Sequence, residues 1–243
     1  MSITRIYQNQ VLQIGEVIQL DALASNHLCR VLRLQPPSEF VMFNGQGGQY
    51  QARLLSASKR GAEALLIDFS EHEVESPLKL HLAQSLVRGE KMDFIIQKAT
   101  ELGVTEITPL LTEFCNVKLS DERQQKKLAH WQQVIISACE QCGRNQIPKI
   151  NPPQLFSSWV NQQQAAIKII LDPTGKTPIT KMAVSGESAL AIGPEGGFSA
   201  EELNSAQANG FKLCLMGPRV LRTETASITA LTLLQALYGD LSG

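Results

Sequence analysis

The chain has 243 residues, 43% hydrophobic and 19% charged, with a formal net charge of −1, a balance that suits an ordinary soluble protein of one large or two modest domains. The near-neutral charge excludes a whole-surface positive field, so an RNA partner would have to be held by local arginine clusters. No run approaches the roughly 20 apolar residues of a membrane span and the first residues lack the apolar core of a signal peptide, so a cytoplasmic protein is expected.

Residues 1 to about 72 read mostly as β-strand. Runs at 16–20, 39–43, 49–55 and 62–68 are alternating or apolar, as short half-buried strands are. Pro36-Pro37, Asn44-Gly-Gln-Gly-Gly48 and Lys59-Arg-Gly61 separate them with turn chemistry. Between the first two runs, 21–33 reads as a short helix, so a small β-barrel with one helix is expected. The polar, acidic stretch Glu71-His-Glu-Val-Glu-Ser-Pro77 has no periodic apolar pattern. The domain boundary is placed there, with domains of 1–72 and 73–243.

From residue 78 onward strand and helix patterns alternate, the signature of an α/β domain with a mainly parallel sheet. A strand over 78–86 turns at Arg88-Gly89 into a helix with Met92, Ile95 or Ile96, Ala99 and Leu102 on one face, stopped by Gly103. The next strand covers 104–111, where Pro109 weakens the ladder and predicts an end or edge position. A long helix follows over 120–142. Apolar runs at 166–171, 188–192 and 213–216 complete the sheet, and a last helix should bury Ile228, Leu231, Leu234 and Leu237.

Five cysteines, Cys29, Cys115, Cys139, Cys142 and Cys214, are odd in number and scattered, which argues against a disulfide framework. Cys139-Glu-Gln-Cys142 has no second pair and no nearby histidine cluster, so no metal is expected. His27, His72, His81 and His130 are widely spaced and read as structural or exposed.

Two strand–turn–helix units lie within about 50 residues of one another, close to the scale of one βαβ unit. In the first, Gly193-Pro-Glu-Gly-Gly197 is followed by Ser199-Ala-Glu-Glu202, a capping-box spacing. In the second, Gly217-Pro218 leads through Arg219 and Arg222 to Thr223-Glu224-Thr225, whose oxygens suit a helix N-terminus. Both turns should open at the C-terminal edge of one parallel sheet, where ligands bind in open α/β folds. Neither has the lysine of a P-loop nor the dinucleotide fingerprint. Their bare backbone suits the edge of an adenine or a ribose, and a branched side chain at Gly217 is expected to fill the loop. On glycine content alone, two ordinary connections with glycine at sharp bends explain the turns equally well.

Gly193-Pro-Glu-Gly-Gly197 together with Met216-Gly-Pro-Arg-Val-Leu-Arg-Thr-Glu-Thr-Ala226 resembles the two signature motifs of SPOUT-class methyltransferases. With Arg88-Gly-Glu-Lys-Met92, Gln97-Lys-Ala-Thr-Glu-Leu-Gly103 and Ala138-Cys-Glu-Gln-Cys-Gly-Arg-Asn145, the chain resembles, nearly end to end, the bacterial 16S ribosomal RNA (uracil-N3) methyltransferase family. The resemblance implies an N-terminal PUA-like RNA-binding barrel and a C-terminal SPOUT domain with a trefoil knot, an exception to the rule against knots. It also implies a homodimer. S-Adenosylmethionine would be held by Leu171, Ile192, Gly193, Pro194, Gly197, Leu215, Met216, Gly217, Val220, Leu221 and Thr223.

The implied substrate is N3 of one uridine of 16S ribosomal RNA within the small ribosomal subunit. Arg5, Arg30, Arg88, Arg144 and Arg219 are candidate RNA contacts, and Arg33, Lys59 and Arg60 belong to the same basic set. An imide N–H must lose its proton before it attacks, so positive charge at the site favours the reaction, and Arg222 is the candidate catalytic residue. Glu195 and Glu224 are the carboxylates placed to take the proton, although Glu224 also reads as a cap of the last helix. Phe198 is expected to anchor its loop in the core. A SPOUT enzyme acting on a ribose 2′-hydroxyl or a tRNA base, and a non-catalytic RNA-binding assembly factor, are the alternatives. A Rossmann-type methyltransferase is disfavoured because Gln84-Ser85 stands where its glycine-rich turn would be.

Overall fold

The structure is a computed structural model and describes residues 4–58, 61–115 and 120–242. Lys59 and Arg60, two of the candidate phosphate contacts, lie outside the described residues. The chain divides into two compact units, Met1–Glu75 with Cys139–Ile147, and Ser76–Ala138 with Pro148–Gly243. Among the described residues no helix is long and apolar enough to cross a membrane.

In the first unit, five strands are ordered β1 (Arg5–Tyr7), β3 (Glu39–Phe43), β4 (Gln49–Ser58), β5 (Gly61–Ser70) and β2 (Val17–Gln19). The β1–β3 pair is parallel and the others are antiparallel. Two register shifts in the β4–β5 pair bend the sheet, as bulges do. Ile6 from one end strand and Ile18 from the other enter one core with Phe40, Leu54 and Leu66. The segment read as one helix is in fact α1 (Ala22–Asn26) running into a wider turn over His27–Val31, where the Leu32 N–H reaches the His27 carbonyl at 2.9 Å. Arg33 then reverses the chain at φ 56.

The residues Cys139–Ile147 join this unit through polar groups that hydrophobic periodicity does not register. Arg144 is 4% exposed and meets Glu75 through both Nε and a terminal nitrogen, the shortest contact being 2.6 Å. Glu140 accepts the Tyr7 N–H at 3.0 Å, and burial raises its pKa. Cys139 is buried and burial pushes its thiol up to about 12, so it remains a packed thiol near neutral pH.

In the second unit the sheet is ordered β11 (Thr177–Pro178), β13 (Lys212–Leu215), β10 (Ile167–Leu171), β12 (Ser188–Ile192), β6 (Leu80–Ser85), β7 (Glu106–Leu111) and β8 (Lys149–Ile150), with β9 (Gln154–Leu155) also on β7. Every pairing is parallel. The helices are α2 (Lys91–Glu101), α3 (Asp121–Cys142, of which the residues from Cys139 on belong to the first unit), α4 (Phe156–Gln162), α5 (Ala200–Ala208) and α6 (Thr223–Tyr238). Ala83, Leu110, Ile170, Ala189 and Ala191 from the strands pack with Phe156, Trp159, Phe198 and Phe211.

Two expectations change here. Strand β7 is not at the edge, since it lies between β6 and the short strands β8 and β9. Ladder alternation turns the Pro109 nitrogen the same way as the Ile107 carbonyl, which accepts from Asn151. That side has no strand partner between Ile150 and Gln154, so the missing N–H faces a gap rather than a neighbour. In α6 the buried stripe is Thr223, Ser227, Ala230, Leu231, Leu234 and Gln235, while Leu237 is 48% exposed. Polar residues therefore complete a face that was read as purely apolar.

Candidate active site

The parallel register places Cys214, Leu171, Ile192, Gln84 and Pro109 side by side in one row across β13, β10, β12, β6 and β7. Beyond this row the chain leaves β12 into Gly193–Gly197, leaves β13 into Met216–Arg222, and leaves β6 toward Arg88. Strand β10 lies between the two glycine-bearing strands, so Leu171 ends between their turns.

The turns are joined by hydrogen bonds. The Thr223 hydroxyl donates to the Gly193 carbonyl at 2.8 Å, and Gln84 Nε2 donates to Thr223 Oγ1 at 3.1 Å. Ser227, one turn further along α6, donates to Gln84 Oε1 at 2.5 Å. Thr223, Ser227 and Gln84 are all buried. Thr223 thus does not cap its helix. Arg222 holds the N-cap position without a side-chain cap bond, and the Thr223 hydroxyl is directed across to the other turn.

Local packing explains the glycines. A Cβ on Gly193 would come within 3.2 Å of the Phe198 ring, and Phe198 is a buried anchor whose ring lies 5.0 Å from that of Phe156. Gly217 has φ 70 and nothing within 4 Å of an added Cβ. A side chain there would find space but the wrong backbone conformation, contrary to the expectation of a filled loop. The first turn is braced by a capping box in which Ser199 accepts from Glu202 N and Glu202 Oε2 accepts from Ser199 N. The other Glu202 oxygen accepts the Glu113 N–H at 2.9 Å.

Charge gathers at this edge around Lys91, at the start of α2. Its ammonium lies 3.3 Å from Glu195 of the first turn and 3.6 Å from Glu224 of the second. Glu224 Oε2 is buried and has no hydrogen-bond partner, the Lys91 contact being too long for one. The capping role read for Glu224 is therefore replaced by an ion pair. Arg219, Arg222 and Arg88 are exposed, and Val220 is 83% exposed. Leu171, Leu215, Met216 and Leu221 are half-buried, and Pro194 and Ile192 are buried.

The remaining arginines lie in the first unit. Arg30 is exposed and borders a cleft of about 640 Å³ with Ser25, Asn26, Gln35 and Ser58. Arg5 is half-buried over the Phe43 ring and bonds Gln49 and Asn145, each at 2.5 Å. Burial lowers its pKa. Arg144 is committed to Glu75. It is buried in a bidentate pair, and Arg5 is largely engaged in the same way. Sequence reading gives Gln84 only as evidence against a Rossmann turn and Lys91 only as part of the Arg88–Met92 motif, and assigns neither a role in the site, because neither lies in a glycine turn. Among the described residues no group of three or more histidines, cysteines or acids is placed to hold a metal.

The chain was compared with known proteins. A family model described as an RNA methyltransferase domain matches residues 74–235, and one described as an RNA methyltransferase PUA domain matches residues 20–67. Ribosomal RNA small subunit methyltransferase E of Buchnera aphidicola (subsp. Schizaphis graminum) is 38% identical over 99% of this chain and 98% of its own. A Legionella pneumophila structure described as a methyltransferase in complex with the bound cofactor SAM aligns with a TM-score of 0.96 and 43% identity, covering 99% of this chain and all of that one. The ribosomal RNA small subunit methyltransferase E of Neisseria gonorrhoeae, solved bound to S-adenosyl methionine, aligns with a TM-score of 0.93 and 36% identity over 99% of this chain and 100% of that one. With a methyltransferase model spanning more than half of its length and relatives this similar from end to end, the chain belongs to the ribosomal RNA small subunit methyltransferase E family.

Proposed function

We propose that this protein transfers the methyl group of S-adenosylmethionine to N3 of a specific uridine of 16S ribosomal RNA within the small ribosomal subunit, acting in the cytoplasm as a homodimer with a trefoil-knotted C-terminal domain. The observation that carries the reading is the hydrogen bond from Thr223 to the Gly193 carbonyl. It ties the two motif turns into one site at the sheet edge where α/β folds bind ligands. The domain boundary falls in the acidic stretch 71–77, with RNA grip assigned to the N-terminal domain.

The residues fit the cofactor. Glu195 and Glu224 place two carboxylates at this edge, both close to Lys91, and a carboxylate suits a sulfonium. Half-buried Leu171, Leu215, Met216 and Leu221 offer apolar surface to an adenine. Gly193, Pro194, Ile192, Gly197, Gly217, Val220 and Thr223 complete the holding set, chiefly through backbone. When bound, S-adenosylmethionine supplies an electrophilic methyl carbon and its sulfur keeps the electron pair of the broken C–S bond.

The protein's own part is to orient the uracil and remove its N3 proton. Arg222 stands at the foot of α6 and supplies positive charge that favours the uracil anion. Glu224 and Glu195 are the acceptors for the proton, with Lys91 holding both carboxylates at the edge. Arg219, Arg88 and Arg30 are exposed and are the candidate phosphate contacts.

The test is transfer of labelled methyl from S-adenosylmethionine to small ribosomal subunits that lack the modification, followed by nucleoside analysis. Label in 3-methyluridine is expected. Label in another nucleoside would replace the substrate, and no label beside a working positive control would overturn the enzymatic reading.

A further inference from the structure

Gln84 is the last but one residue of β6 and is completely buried, a position where an apolar side chain of the same volume would avoid the cost of desolvating an amide. Its donors and acceptor are all engaged. Nε2 donates to Thr223 Oγ1 at 3.1 Å and to the Ser85 carbonyl at 3.1 Å, while Oε1 lies 2.5 Å from the Ser227 hydroxyl, whose single proton it shares with the Thr223 carbonyl at 2.8 Å. The direction of this chain is forced. The Thr223 oxygen receives an amide proton, so its single hydroxyl proton is left for the Gly193 carbonyl at 2.8 Å. One side chain on a rigid strand thereby sets the first turn of α6 and, through it, the first peptide of the Gly193–Gly197 turn.

We propose that Gln84 is a positioning residue for S-adenosylmethionine, and that its amide is required because it donates to Thr223 and so keeps the Thr223 proton on the Gly193 carbonyl. This rests on the reading of the two turns as the cofactor site. An ionised carboxylate in place of the amide only accepts. It would draw the Thr223 proton to itself and release the Gly193 carbonyl, whereas a protonated carboxyl, with one oxygen accepting and one hydroxyl donating, keeps the bond to Thr223 and gives up only the one to the Ser85 carbonyl.

The experiment is calorimetric titration of S-adenosylmethionine into full-length wild type, Q84L and Q84E across a pH series, with thermal melting of each protein alongside. Q84L is expected to bind at least about tenfold more weakly at every pH, because leucine makes none of the Gln84 bonds that fix Thr223. Q84E is expected to bind close to wild type where its introduced carboxyl is protonated. Its affinity should fall about tenfold as pH rises through that group's pKa, which burial shifts upward. Lys91, Glu195, Glu224, Arg88, Arg219 and Arg222, charged groups of this edge, are common to all three proteins, so the difference from the wild-type curve isolates the introduced carboxyl. A purely packing role would change melting temperature without giving Q84E a pH-dependent affinity. If wild type binds and both variants follow its curve, the assignment of Gln84 falls while the functional reading stands; if wild type binds no S-adenosylmethionine, both fall. Should Q84L not fold, the pH profile of Q84E decides alone.

Discussion

At the scale of single residues, the site depends on how few groups supply charge where the reaction needs it. Arg222 sits at the N-cap position of α6 and is exposed, and its guanidinium, having only donors, brings positive charge rather than a cap to this edge. Replacing it by alanine should lower turnover by about 100-fold, the size expected for loss of one charge-stabilising group. Affinity for S-adenosylmethionine should change by much less, which single-turnover rates and calorimetry together would show. Equal losses in both would make Arg222 a binding residue instead. Lys91 has a different role, since its contacts to Glu195 and Glu224 reach both turns at once.

At the scale of elements, Glu202 does two jobs with one carboxylate. It closes the capping box of α5 and holds the Glu113 N–H just beyond β7. Ser199→Ala removes only the acceptor for the Glu202 N–H and should cost about 1 kcal/mol. Glu202→Ala leaves both the Ser199 and Glu113 N–H groups without their acceptor, and should cost about 2 kcal/mol. Urea unfolding of the two variants checks the order, and equal losses would show that the Glu113 bond contributes nothing. The same economy explains β7, whose proline is tolerated inside a sheet because the strand beside it is split into two short pieces.

At the scale of the whole molecule, the second unit carries a polar cluster on the sheet edge opposite the site. His81 is bonded to Thr108 at 2.8 Å and to Gln163 at 3.2 Å, with Trp159 edge-on to its ring. Burial lowers its pKa from the ordinary 6.5, and Glu106 only partly offsets this. For Glu106, burial pushes upward, but the hydrogen bond from Asn151 and the nearby His81 and Lys149 leave its pKa lowered. A histidine kept neutral by the fold contributes stability that is full above its unfolded pKa and is lost as pH falls below it. The depressed carboxylate loses its contribution in the same direction at lower pH. The denaturation midpoint should therefore decline from about pH 6.5 downward, and His81→Gln should flatten the onset of that decline. An unchanged slope in that variant would assign acid sensitivity to other groups.

The sequence alone was enough for those features that local rules control. Alternating runs marked β3, β4 and β5, and the strand–helix alternation marked the α/β unit. The capping box at Ser199 formed as its spacing requires, and the two glycine turns fell on the C-terminal edge of one parallel sheet. Each depends on residues within a few positions of one another. What only the tertiary structure decided were contacts between distant positions. Gln84 and Thr223 are 139 residues apart, and Arg5 and Asn145 are 140 apart. The polar face of α6, the gap opposite Pro109 and the burial of Arg144 against Glu75 belong to the same class. A polar side chain has the same local signature whether it ends in water or in a buried hydrogen bond, and only folding supplies the partner that settles which.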